Sequence, residues 1–144
     1  MIYTYIIVDD ESFALEQLEE YLVGMPNFKL IKAYSNPILA LAEINLLPKP
    51  IDFLFTDVEM PLLNGLELVN QIHQKPNYII LVSAHQKYAV DGYVHKVDAF
   101  LEKPYSETRF KSTVAGVLNR ADEKPFVIVK CKERYKIFLD KIVA

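Results

Sequence analysis

Residues 51–57 read IDFLFTD, an apolar run that ends abruptly at an aspartate. A nearly continuous apolar run of this length is typical of a strand that is buried on both faces of a parallel sheet. The run YIILV at 78–82 has the same character and leads into Ser83. Between the two runs, apolar residues recur at helical spacing over 66–73. This order of strand, helix and strand predicts a parallel crossover in which both strands end at the same edge of the sheet.

The same alternation continues on both sides of this unit. Apolar, β-branched or aromatic runs predict further strands at 3–8, 28–34 and 99–101. Helical spacing predicts further helices at 12–23, from Pro37 to just before Pro48, at 85–96 and at 106–120. Either Ser35 or Asn36 can cap the helix that starts at Pro37. Five strands alternating with five helices predict an α/β fold, a doubly wound parallel sheet with helices on both faces.

The composition is that of an ordinary globular protein. The chain has 144 residues, of which 51% are hydrophobic and 24% charged, with a net charge of −3, so we expect no strongly basic surface over the chain as a whole. Its single cysteine, Cys131, suits a reducing compartment. No apolar run approaches the roughly 20 residues of a membrane span, and the first residues lack the basic start of a signal peptide. These features predict a cytoplasmic protein.

Charge divides the chain into two parts. Residues 1–120 carry 10 basic and 15 acidic side chains, whereas residues 121–144 carry 6 and 4. The polar stretch at 121–125 is predicted to be a linker, and strands are predicted at 126–129 and 135–139. A lone hairpin is marginally stable at best in water, so residues 126–144 are interpreted as the start of a second, more basic domain.

Chemically active side chains follow four of the five predicted strands. Asp9 and Asp10 follow the first strand, Asp57 the third and Ser83 the fourth, while Lys103 lies just beyond the fifth. In a parallel sheet these positions meet at one edge, where ligands bind in doubly wound folds. The sequence therefore predicts one site that contains three carboxylates, a hydroxyl and an ammonium group.

Three neighbouring carboxylates require a cation to stay ionised, because like charges raise one another's pKa. Magnesium prefers oxygen ligands, which favours it at this site. A metal, an ammonium and a hydroxyl together can stabilise the oxygens of a phosphoryl group in transfer, with Asp57 as the nucleophile.

Each of these residues also has a purely structural interpretation. Acidic residues at 9–11 favour the positive end of the following helix, and Asp57 can serve in a turn before Pro61. Ser83 can cap a helix, and Lys103 can be a solvated surface lysine. The functional interpretation is favoured because the residues share one edge of the sheet. Motifs for nucleotide binding or serine hydrolysis do not occur in the sequence.

The order and spacing of these residues resemble the receiver domain of two-component response regulators, over residues 1–120. The matching stretches are IIVDDE at 6–11, DFLFTDVEMPLLNGLEL at 52–68, ILVSAH at 80–85 and DAFLEKPY at 98–105. The resemblance implies a flavodoxin-like, five-stranded sheet in the order 2-1-3-4-5. It also implies a sensor histidine kinase as partner, and a homodimer formed through the face of the fourth helix, fifth strand and fifth helix.

The resemblance also implies a role for each site residue. Asp57 corresponds to the phosphoacceptor, and Lys103 to the lysine that pairs with the phosphoryl group. The positions of the Mg²⁺ ligands correspond to Asp9, Asp10, Asp57 and the backbone carbonyl of Glu59. The positions of the switch residues correspond to Ser83 and Phe100.

The segment FVIVKCKERYKIFLDKIVA at 126–144 resembles the first strands of a LytTR-type DNA-binding domain. This implies a parent regulator that binds DNA and controls transcription, and a present chain that would hold only the beginning of that domain.

Two other functions remain open at this stage. A phosphatase of the haloacid dehalogenase type also uses an aspartate nucleophile, but it places a second aspartate two residues later, where this chain has Glu59. A receiver-like interaction module without phosphorylation is the other alternative, and the complete set of acidic residues together with Lys103 disfavours it.

Overall fold

The computed structural model describes residues 1–120 and the backbone of a two-residue strand at 127–128. Strands and helices alternate along the chain in this order: β1 Tyr3–Val8, α1 Ser12–Val23, β2 Phe28–Tyr34, α2 Pro37–Ile44, β3 Phe53–Asp57, α3 Gly65–Gln71, β4 Tyr78–Ser83, α4 Tyr88–Val94, β5 Ala99–Glu102, α5 Glu107–Asn119 and β6 Val127–Ile128. The predicted linker at 121–125, the predicted strand at 135–139 and Cys131 lie outside the described residues.

The sheet is parallel, and its strand order is β2-β1-β3-β4-β5-β6. The doubly wound α/β fold and the order 2-1-3-4-5 are therefore confirmed. Strand β6 was not predicted to join this sheet, yet it pairs with β5 through Ala99 with Val127 and Phe100 with Ile128. Strand β5 is therefore not the outermost strand among the described residues.

Helices cover both faces of the sheet, and the alternation of side chains along each strand builds two cores. On one face, Leu54 and Leu81 pack with the buried residues of α2, α3 and α4. On the other face, Phe53 and Phe55 pack with those of α1 and α5. All five residues of β3 are buried, which explains the apolar run that defined this strand in the sequence.

Polar side chains fix where three of the helices begin. The side chain of Asn36, rather than that of Ser35, caps α2 by accepting hydrogen bonds from the N–H groups of Ile38 and Leu39. Asn64 and Glu67 form a reciprocal capping box at the start of α3. Ser106 caps α5.

Helix α4 is shorter than the sequence predicted. It spans Tyr88–Val94, whereas the prediction was 85–96. At its C-terminal end, Lys96 has a φ of 61°, in the left-handed region that ends helices, and Val97 turns inward into the core. Among the described residues, no helix combines the length and apolar character that crossing a membrane requires.

Candidate functional site

Strand register brings the predicted site residues to one level at the carboxyl edge of the sheet. Val8 pairs with Thr56, so the residue that follows each of them, Asp9 and Asp57, lies at the same height. Asp57 pairs with Val82 on the next strand, which places Ser83 one residue further along. The backbone N–H of Lys103 donates a hydrogen bond to the carbonyl of Ser83. The sheet therefore positions these side chains from four separate strand ends.

Three carboxylates form a cluster at this edge. One oxygen from each of Asp9, Asp10 and Asp57 lies within 4.8 Å of the other two. Asp9 is fully buried and Asp57 is only 7% exposed, whereas Asp10 faces solvent. An oxygen set of this kind, open to water on one side, fits a hard divalent cation such as Mg²⁺.

Lys103 provides the positive charge within the cluster. Its Nζ donates a hydrogen bond to Oδ2 of Asp9 at 2.9 Å and lies 3.6 Å from Oδ1 of Asp57. The other oxygen of Asp9 accepts the N–H of Glu11 at 3.0 Å, and Oδ1 of Asp57 accepts the N–H of Val58 at 2.9 Å. Both buried carboxylates are therefore oriented by hydrogen bonds from fixed donors.

Electrostatics within the cluster leave it short of positive charge. Burial, followed by the negative charge of Asp9, raises the pKa of Asp57 to about 6, although Lys103 and the Val58 N–H act in the opposite direction. Burial alone lowers the pKa of Lys103, but its hydrogen bond to Asp9 and the surrounding negative charge outweigh this effect and raise it. One ammonium thus does not balance three carboxylates, and a bound cation would restore the balance.

A cleft of about 240 Å³ opens above Asp57. Its lining comprises Glu11, Asp57, Glu59, Ser83, Ala84, His85 and Lys103. The hydroxyl of Ser83 is buried and accepts the N–H of His85 at 3.1 Å. Asp57, Ser83 and Lys103, which the sequence predicted to converge, thus line one small cleft, while Asp9 and Asp10 lie beside Asp57.

A sequence model of the response regulator receiver domain matches residues 5–115, more than half of the chain. The chain belongs to this family. Receiver domains are signalling domains, so the sequence-based assignment to a signalling class rather than to a classical enzyme agrees with the family.

The curated relatives of this chain are longer proteins, and the chain matches only part of each of them. The chain is 35% identical over 112 residues to an uncharacterized response regulatory protein from Vibrio parahaemolyticus, covering 77% of this chain and 46% of the relative. It is 32% identical over 111 residues to the transcriptional regulatory protein BtsR from Escherichia coli, covering 76% and 46%. The chain thus spans about half the length of the curated relatives it matches.

The fold also matches solved receiver structures. The CheX–CheY–BeF3–Mg²⁺ complex from Borrelia burgdorferi contains a chain with a TM-score of 0.71 and 21% sequence identity, covering 81% of this chain and 89% of that chain. At this level of identity the likeness supports the fold.

Two residues of this receiver domain that line the cleft were missed as site residues in the sequence. His85 was not singled out as a site residue in the sequence, yet its Nε2 lies 3.0 Å from Oε1 of Glu59, which also lines the cleft. Glu11 was assigned only to the start of α1, but it also lines the cleft. Both follow a strand end by two or three residues, and this spacing is the signal by which the sequence could have identified them.

Phe100 is already fully buried on β5. The resemblance implied that Phe100 takes part in the switch. Since the ring already belongs to the core that contains α4, any movement of Phe100 in this receiver domain starts from a buried position.

Proposed function

We propose that Asp57 accepts a phosphoryl group from a sensor histidine kinase and that this modification switches the output of the protein. The observation that carries the proposal is the position of Asp57, whose carboxylate lies 3.6 Å from the ammonium of Lys103 and beside the carboxylates of Asp9 and Asp10. A buried aspartate with only a structural role would not require a lysine and two further carboxylates beside it.

In the transfer step, a carboxylate oxygen of Asp57 bonds to phosphorus as the bond from phosphorus to the kinase's histidine nitrogen breaks. The electron pair of that bond stays on the histidine, which takes a proton from solvent. Lys103 stabilises the negative charge on the phosphoryl oxygens. Asp9, Asp10, Asp57 and the backbone carbonyl of Glu59 would hold Mg²⁺, which supplies further charge neutralisation when bound.

The switch itself is assigned to Ser83 and Phe100. A phosphoryl group on Asp57 offers acceptor oxygens in the cleft that the Ser83 hydroxyl also lines. A hydrogen bond from Ser83 would draw the β4–α4 loop toward Asp57, and the buried ring of Phe100 would repack against α4. Phosphorylation thereby favours the conformation that makes these contacts.

The output is proposed to be transcription. BtsR is named a transcriptional regulatory protein, and this chain matches less than half of its length. We place a LytTR-type DNA-binding domain after residue 125, homodimerisation on the face of α4, β5 and α5, and the working protein in the cytoplasm. DNA binding then belongs to the full-length regulator.

The acceptor role is tested by incubating the protein with Mg²⁺ and acetyl phosphate and measuring intact mass. We expect one added phosphoryl group, lost in Asp57→Asn but retained in Asp91→Asn, which changes an exposed aspartate on α4. An inert wild-type protein would indicate the interaction module. Repeated turnover of phosphate esters would indicate the phosphatase.

A further inference from the structure

A sixth strand covers the edge of β5. Strand β6 pairs with β5 in parallel, with Ala99 opposite Val127 and Phe100 opposite Ile128. We call this backbone contact the edge pairing. The match to the receiver family ends at residue 115, so the edge pairing joins a segment from beyond the family match to the receiver sheet. The same two residues belong to the strand that the sequence predicted at 126–129 for a second domain.

Charge favours a position of this segment close to the receiver domain. Residues 1–120 carry 15 acidic and 10 basic side chains, whereas residues 121–144 carry 4 and 6. The two parts of the chain therefore attract each other over distances longer than a hydrogen bond. The attraction is not specific for one position, whereas the edge pairing gives the segment a defined place on the sheet.

The edge pairing is short enough to open readily. Strand β6 has two residues, whereas strands β4 and β5 have six and four. A strand of two residues makes few backbone hydrogen bonds, and peripheral elements of this kind open at a much lower free-energy cost than central strands. A modest rearrangement of the receiver domain is therefore sufficient to release it.

The edge pairing also occupies part of the surface proposed for the homodimer. Helices α4 and α5 pack on opposite faces of the sheet, and β5 lies at the edge between them. Strand β6 covers this edge of β5. A second copy cannot bury the same edge while β6 is paired with it. The edge pairing and dimerisation through α4, β5 and α5 therefore exclude each other.

Phe100 links the edge pairing to the cleft. Its backbone lies opposite Ile128 on one side and opposite Leu81 of β4 on the other. Strand β4 ends at Ser83, which lines the cleft above Asp57. The rearrangement of Phe100 that the proposed switch requires thus acts on the residue of β5 that lies opposite Ile128.

We propose that the edge pairing holds the C-terminal segment on the receiver domain and that phosphorylation of Asp57 releases it. This inference rests on the proposed function. Because the dimer and the edge pairing use the same edge of β5, a change that favours the dimer opens the pairing. By linkage, a change that opens the pairing favours the dimer. The released residues 126–129 are then free to form the first strand of the following domain.

The first test measures amide hydrogen exchange by NMR in the 144-residue protein, with and without Mg²⁺ and beryllium fluoride. The slower of the Val127 and Ile128 amides should exchange about tenfold faster when the mimic is added, because release exposes it to solvent. The amides of Leu54 and Phe55, at the centre of the sheet, should stay slow. Asp57→Asn should show no acceleration at β6.

The second test opens the edge pairing by mutation. The double variant Val127→Pro/Ile128→Pro removes both N–H groups of β6. Without a phosphoryl donor, it should dimerise with a dissociation constant about 10- to 100-fold below that of wild type, because each wild-type copy must first open one edge pairing. Glu133→Pro, between the two predicted strands of the C-terminal segment, is the matched control and should dimerise as wild type does in sedimentation equilibrium.

The two proposals fail in different ways. A wild-type protein that is never labelled at Asp57 by acetyl phosphate would overturn the proposed function. A labelled protein whose Val127 and Ile128 amides exchange equally fast with and without the mimic would overturn the role of the edge pairing and leave the phosphoacceptor in place. A double proline variant that is labelled normally but dimerises no more tightly than wild type would do the same.

Discussion

The backbone of Asp57 leaves no room for a side chain at position 65. A Cβ added to Gly65 would lie 2.1 Å from the carbonyl oxygen of Asp57 and 3.1 Å from Cα of Val58, and neither atom can move as a flexible side chain could. The same glycine donates its N–H to the carbonyl of Val58 at 2.8 Å. At the scale of single residues, the start of α3 thus holds the phosphoacceptor in place by close backbone contact.

We expect Gly65→Ala to lower the free energy of unfolding by about 1–3 kcal/mol, the range of overpacking, and to reduce labelling by acetyl phosphate as Asp57 shifts. Gly116→Ala is the matched control, because nothing lies within 4 Å of its Cβ position on α5. That change should stabilise the protein by up to about 1 kcal/mol through helix propensity. Equal urea midpoints for the two variants would refute this explanation.

The carboxylate cluster makes a separate prediction about metal. If Asp9, Asp10 and Asp57 hold Mg²⁺ only in the folded protein, Mg²⁺ should raise the free energy of unfolding. The gain is about 1–3 kcal/mol at concentrations 10- to 100-fold above the dissociation constant. Asp10→Asn should lose most of this gain and Asp91→Asn none of it, as measured by urea denaturation at neutral pH. Equal stabilisation of all three proteins would place the metal elsewhere.

At the scale of elements, local chemistry made the order of all the elements within residues 1–120, and the bounds of three of them, predictable from sequence. The strands at 3–8 and 28–34 and the helix at 12–23 have the predicted bounds, because each is followed directly by a polar residue or a glycine. Helix α4 was overestimated, because its C-terminal limit depends on the left-handed Lys96. The contact between Glu59 and His85 was not predictable, since it joins two loops whose separation is fixed only by tertiary packing.

Asp98 marks the junction of β4 and β5 and gives a prediction about pH. Its carboxylate accepts the N–H of Ile79 at 2.6 Å, and burial raises the pKa of Asp98 to about 6, although that hydrogen bond lowers it. The folded protein then binds a proton more tightly than the unfolded chain, whose aspartate pKa is about 3.9. This residue's contribution to stability is therefore greatest below about pH 4 and is lost as the pH rises to about 6, by at most about 3 kcal/mol.

Asp98→Asn isolates this effect, because the amide oxygen can still accept the Ile79 N–H and does not titrate. The variant should gain stability relative to wild type between about pH 4.5 and pH 7, as measured by urea denaturation at several pH values. Asp57 titrates in both proteins, so its contribution cancels in the difference between their free energies of unfolding. A difference that does not vary with pH would show that Asp98 is not the titrating group.

At the scale of the whole molecule, the sequence predicted the carboxylate cluster, because parallel strands end at one edge of the sheet. It did not predict which apolar side chains of the helices are exposed to solvent. Helix α4 exposes Val90 and Val94, which are 46% and 67% exposed, next to the core that contains Phe100. Among the described residues of α4, these valines are the exposed large apolar side chains. We expect phosphorylation-dependent dimerisation to bury these side chains in the interface.

Val94→Glu is therefore expected to block dimerisation without blocking phosphorylation, because a carboxylate on each copy would be buried against its equivalent. Val23→Glu is the control, since Val23 is 80% exposed at the end of α1, a helix that is not part of the proposed face. With Mg²⁺ and beryllium fluoride, the wild-type protein and Val23→Glu should sediment as dimers and Val94→Glu as a monomer. All three should accept one phosphoryl group from acetyl phosphate. A Val94→Glu protein that still dimerises when activated would exclude α4 from the interface and require another surface to transmit the signal.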